Sequence, residues 1–159
     1  MKGSQWYIGA PNGVVLCIRE FHPDGLRGEL YHSYSAEVIP FANVQQMVME
    51  MERLYDRLNF PHPGTNERSF TGPHKSGEHL TERDKVMKDE ELLSKHGDLG
   101  TFIVRVQHRQ NSSWQGRITW MEEDKTINFR SVWEMVKLIE SAVETTAGTP
   151  QDEDEPASW

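Results

Sequence analysis

The stretch Phe102-Ile-Val-Arg-Val-Gln-His-Arg-Gln-Asn-Ser-Ser-Trp-Gln-Gly-Arg-Ile-Thr-Trp120 decides the fold. Phe102, Val104 and Val106 alternate with Ile103, Arg105 and Gln107, and such period-two alternation marks a strand with one buried face. A turn-forming run, Gln110-Asn111-Ser112-Ser113, comes next. Trp114, Gly116, Ile118 and Trp120 then alternate inward against Gln115, Arg117 and Thr119 outward. The stretch is therefore a hairpin. Past the polar turn Glu122-Glu123-Asp124 comes a short third strand, Lys125–Phe129, and Ser131-x-x-Glu134 is a capping box that opens a helix. Val132, Met135, Val136, Ile139, Ala142 and Val143 then form one apolar stripe at helical spacing.

The same pattern occurs earlier in the chain. An ungapped shift of 88 residues lays Gly28 on Gly116, Phe41 on Phe129, Val44 on Val132, Met47 on Met135, Val48 on Val136 and Glu52 on Glu140. Val14, Leu16 and Ile18 repeat the first strand, Leu26, Gly28 and Leu30 the second, with His22-Pro23-Asp24-Gly25 as the turn between them. Asn43 and Gln46 stand at the cap positions. Val44, Met47, Val48, Met51, Leu54 and Tyr55 repeat the stripe. The chain thus reads as two tandem βββα repeats, 14–58 and 101–146. A unit of about 45 residues can hardly bury enough surface to stand alone, so the two are expected to pack together. The expectation is an α+β fold, one antiparallel sheet with two helices on one face about a pseudo-twofold axis. A barrel wrapped around the helices is the alternative.

Outside these units lie an N-terminal segment (1–13), a polar linker (59–100) and an acidic tail (147–159). Thr81-x-x-Asp84 reads as the cap of a short charged helix reaching His96, with Val86, Met87, Leu92 and Leu93 as its few apolar residues. The tail carries two prolines and four acids, ends in Trp159, and is expected to be disordered.

Hydrophobic residues make up 36% of the chain and no apolar run is long enough for a membrane span. The lone cysteine, Cys17, rules out an intramolecular disulfide and suggests a reducing cytoplasm. The net charge of −8 falls mostly on the tail, the linker and the first unit, while the second unit is balanced. This acidity weighs against nucleic acid.

No established catalytic or nucleotide-binding motif occurs, so no catalytic residue and no cofactor are expected. His62, His74, His79 and His96 match no zinc spacing, and no metal site is expected. Cys17 has no identifiable activating base. Gly28 and Gly116 make room for Phe41 and Phe129 or bend the strand. The functional candidates are the outward residues Arg105, Gln107, Arg109, Gln115, Arg117 and Thr119, which share one face as a cationic patch with planar donor forks. Arg19, Arg27 and Tyr31 are their counterparts or neighbours in the first unit. Trp133, off the apolar stripe of its helix, is a further candidate contact.

The quoted hairpin, with Asn128-Phe-Arg-Ser131, resembles a family of short uncharacterised proteins of anaerobic Firmicutes, to which no function attaches. In outline, tandem strand–helix units are similar to PUR-type and Whirly-type single-stranded nucleic-acid binders, although those have four strands per unit. The resulting expectation is a small cytoplasmic, non-enzymatic interaction module acting through an exposed sheet face. Its partner would be a protein or a second copy, with single-stranded nucleic acid the alternative and a metal-dependent enzyme a third reading.

Overall fold

The computed structural model describes residues 13–23, 25–58, 70, 84–110 and 113–154. Strands β1 (Val14–His22), β2 (Gly25–His32), β3 (Ile39–Phe41), β4 (Gly100–Gln110), β5 (Ser113–Trp120) and β6 (Lys125–Phe129) form a single sheet in the order β3-β2-β1-β4-β5-β6. Every neighbouring pair is antiparallel. The class is α+β, and the sheet is open with β3 and β6 as its edges. At the centre β1 runs against β4, with Leu16 opposite Phe102.

Helices α1 (Val44–Leu58) and α3 (Val132–Asp154) cover one face. Met47, Met51, Leu54 and Tyr55 of α1 share a core with Met135, Val136, Ile139, Ala142 and Val143 of α3. The inward residues of the strands complete it. These are the two stripes read from the sequence. The helix starts also match their expected chemistry. Asn43 Oδ1 accepts the Gln46 N–H at 2.8 Å and Gln46 Oε1 accepts the Ala42 N–H. Ser131 Oγ accepts the Glu134 N–H at 3.0 Å and Glu134 Oε1 accepts the Arg130 N–H. Each arrangement satisfies amides that the first helical turn leaves free.

Two β-bulges break the alternation, one between Ile18 and Glu20 and one between Val106 and His108. Each lies beside a strand glycine. A Cβ on Gly28 would run into the Cys17 carbonyl oxygen, and one on Gly116 into that of Arg105. Phe41 and Phe129 stand directly opposite these glycines and are buried over the space they leave. An extra residue in a strand reverses the facing of every residue after it. Arg19 and Gln107 are therefore the extra, bulged residues, and Glu20 and His108 point where regular strands would have placed their neighbours.

The other sheet face is also covered at its centre. Val15, Cys17, Ile103 and Met121 form a second apolar cluster with Met87 and Leu92, which come from the segment between the halves. That segment is strapped down by backbone bonds: Val86 and Met87 donate to the Ser33 carbonyl at 2.7 and 3.0 Å, and Leu99 donates to the Ile18 carbonyl at 2.9 Å. Its helix, α2 (Asp89–Leu93), is shorter than the expected span to His96. The Glu91 carboxylate accepts the Lys88 N–H at the start, and the Ser94 hydroxyl donates to the Glu91 carbonyl at the end. The expected cap, Thr81, lies outside the described residues. At the chain's other end α3 continues to Asp154, past the expected start of the tail at 147.

Candidate binding face

Among the described residues, the face opposite α1 and α3 divides into a covered half and a more open half, where Arg117, Gln115 and His108 are exposed, Arg105 is half-buried and Thr119 is buried. In the covered half Cys17 pairs across β1 and β2 with Glu29. The thiol is fully buried, and burial is the main cause that pushes it up to about 12. A thiol so placed is neither nucleophile nor metal ligand at ordinary pH. Arg19 donates through Nη2 to Glu29 Oε1 at 2.9 Å and lies 3.4 Å from Asp98. The hydrogen bond to Glu29 holds the guanidinium above its ordinary range. Tyr31 Oη donates to the same Glu29 oxygen at 3.3 Å, and Lys95 sits 5.0 Å from the Tyr31 ring centre. Arg27 is 3.6 Å from Glu20, whose carboxyl His22 and Arg27 together hold below its usual range. Arg19, Arg27 and Tyr31, expected to extend a cationic patch, are therefore tied to carboxylates. A cleft of about 490 Å³ bounded by Arg19, Glu20, Arg27, Glu29 and Gln46 carries these mutually neutralised charges.

In the open half, Arg105 and Arg117 face each other directly across β4 and β5. Arg105 Nη2 donates to Thr119 Oγ1 at 3.3 Å, and Thr119 is hydrogen-bonded to Thr126 at 2.8 Å. Arg117 is exposed and pairs on its other side with Asn128. Beyond the bulge, Gln115 pairs with His108, both exposed. Cross-strand neighbours sit about 5 Å apart, where like charges repel. The open half thus places two guanidiniums together amid amides and hydroxyls.

Arg109 is not part of this face, which corrects the expectation. The bulge at Gln107 turns it to the helix side, opposite Trp114. There it is buried, donates through Nη1 to Asp56 Oδ1 at 2.9 Å and through Nη2 to the Tyr55 carbonyl at 3.4 Å, and lies 5.7 Å from the Tyr55 ring centre. It is a strut between β4 and α1. Gln107, at the bulge, is exposed but out of register with the patch. Trp133 is 65% exposed, with Lys137 Nζ 5.4 Å from its ring centre. Trp114 is buried against Tyr55, and Trp120 stacks on Phe102.

A cleft of about 450 Å³ lies at the end of the sheet between Asp98, Trp120, Glu122, Glu123 and Thr145. The Glu122 carboxylate is clamped by Thr101, whose N–H and hydroxyl donate at 2.9 and 2.6 Å. The sequence does not announce this cleft, and Gly97 and Gly100, close together in an otherwise polar stretch, are the only signal for it. No group of three or more His, Cys, Asp or Glu residues suited to a metal occurs among the described residues. His62, His74 and His79 lie outside them. No helix among the described residues is long and apolar enough to cross a membrane. Set against known proteins, the chain matches no family model, no curated protein and no solved structure.

Proposed function

We propose that this chain is a non-enzymatic interaction module of a reducing compartment, and that the open half of its second sheet face holds an acidic segment of a partner protein. The observation that carries this reading is the direct opposition of Arg105 and Arg117 across β4 and β5, with Arg117 exposed. An exposed guanidinium offers a planar donor fork that an arriving carboxylate can meet with two hydrogen bonds, and Arg117 presents one beside a second arginine. Thr126 and Asn128, both exposed, add hydrogen-bonding groups of no net charge, while Thr119 is buried beneath them. The same reading takes the two halves as tandem βββα repeats. It is supported by the palindromic strand order and by bulges, glycines and helix caps that recur 88 positions apart.

Single-stranded nucleic acid is the weaker reading. Such binders stack bases on aromatic rings, whereas Trp114 and Trp120 lie on the helix side of the sheet. The loss of Arg109 from the face removes a third phosphate contact. Titration at low salt with a poly-glutamate peptide and with a single-stranded oligonucleotide separates the two. Peptide binding that Arg117→Glu abolishes supports the acidic-segment reading. Oligonucleotide binding that weakens steeply with salt, or no peptide binding, overturns it.

A further inference from the structure

The two edges of the sheet differ in what they can accept. β3 is three residues long and contains Pro40, which has no N–H to offer a neighbouring strand. β6 has five residues, no proline, and four of the five are exposed. It pairs with β5 through all five positions without irregularity, so its outer edge is straight. A terminal strand of this kind directs alternate N–H and C=O groups at solvent, and proteins ordinarily blunt such edges with charge, proline or a bulge. Within β6 the only charge is Lys125, at one end.

We infer that β6 pairs antiparallel with β6 of a second copy about a twofold axis at Ile127. The strand is self-complementary in that register. Ile127 meets Ile127 of the second copy, Thr126 meets its Asn128, and Lys125 meets its Phe129, so no like charges oppose. Ile127 is 49% exposed in the single chain and gains an apolar neighbour. The twofold axis stands perpendicular to the sheet, so both outer faces lie on one side. β5 and its counterpart are then three strand spacings, about 14 Å, apart. The Arg105–Arg117 pairs of two chains line one cationic surface, long enough for an extended acidic segment to engage both. Only this last step rests on the proposed function; the edge pairing stands without it. A five-residue edge is short, so the association is weak and reversible, and the bound segment strengthens it.

The test is molecular mass by sedimentation at increasing protein concentration. The wild-type chain shifts from monomer to dimer mass. Ile127→Lys and Ile127→Asp, both at an exposed position, each stay monomeric with unchanged circular dichroism. An equimolar mixture of the two recovers the dimer, because the new charges then oppose as a pair. A wild type that stays monomeric at every concentration, variants that still dimerise, or a mixture that does not recover would each overturn the pairing. Arg117→Glu keeps the dimer mass and loses poly-glutamate binding, so failure of the face reading is seen separately from failure of the edge pairing.

Discussion

Cys17 and Glu29 occupy in the first half the cross-strand positions that Arg105 and Arg117 occupy in the second. The backbone around them is the same: a bulge two residues on from Cys17 or Arg105, and a strand glycine opposite it. What differs is the environment. Over Cys17 lie Met87 and Leu92, and Arg19, Glu29, Tyr31 and Lys95 hold one another at the rim. In the second half Arg117 is exposed and Arg105 is half-buried beside Thr119. One strand geometry therefore supports a dry, stapled face or a wet, charged one, and the choice rests on two side chains. A thiol accepts burial almost without cost, whereas two neighbouring guanidiniums do not.

The comparison breaks most visibly if the staple is pulled. Leu92 is fully buried on the covered half, and Leu92→Ala is expected to cost about 2–5 kcal/mol in urea unfolding. The same variant opens Cys17. In the wild type the thiol reacts with a disulfide reagent only as the protein unfolds, and in Leu92→Ala it reacts many times faster. Unchanged thiol protection would mean that the strap is not what covers this face.

Acid acts next, through a histidine on the helix side of the first half. His32 is buried, with Nδ1 accepting the Tyr34 N–H at 3.0 Å, and burial, helped by the Arg57 charge, lowers its pKa to about 4. Below pH 6.5 the unfolded chain takes up a proton that the folded chain refuses until about 4. Stability is therefore full above 6.5 and is lost as pH falls through that window, by up to about 3 kcal/mol. His32→Asn keeps an acceptor for the Tyr34 N–H and should flatten this limb. A slope equal to that of the wild type would remove His32 as its cause.

Arg109 tests how the halves are joined. Its guanidinium is buried while its partner Asp56 is about a third exposed. Arg109→Ala leaves Asp56 partly solvated, so the expected loss is about 2 kcal/mol, below that for a wholly buried pair. Arg109→Met fills the same space without charge and should recover most of it. If Arg109→Met is as unstable as Arg109→Ala, the ion pair itself outweighs the packing.

Arg109 also marks where the sequence stopped being legible. Strand alternation, both helix stripes and both caps could be read directly, since each is a local pattern of apolar and hydroxyl- or amide-bearing residues. A bulge is a slip of one residue, and it leaves composition unchanged while reversing everything after it. The strand glycines Gly28 and Gly116 were its only trace, and they fit a simple bend as well. The strap was illegible for another reason. Met87 and Leu92 are isolated apolar residues in a polar stretch, and only the three-dimensional path shows that they land on Val15, Cys17 and Ile103.

The smallest effect on stability is also the sharpest comparison, because it exchanges the two faces at one position. Arg117→Glu gives the open half the charge that Glu29 gives the covered half. It should change unfolding free energy by no more than about 0.5 kcal/mol, with gain favoured because it places a carboxylate across from Arg105. Glu29→Arg is not its mirror image. It strips Arg19 and Tyr31 of a shared acceptor, so it should lower stability by about 1 kcal/mol. Measured at low and high salt, the first change should shrink with ionic strength while the second persists in part, since Glu29 is only 28% exposed. Equal and opposite effects would mean that charge alone separates the halves. The asymmetry expected here means that Glu29 organises its neighbours, whereas Arg117 has no comparable part in holding the fold together.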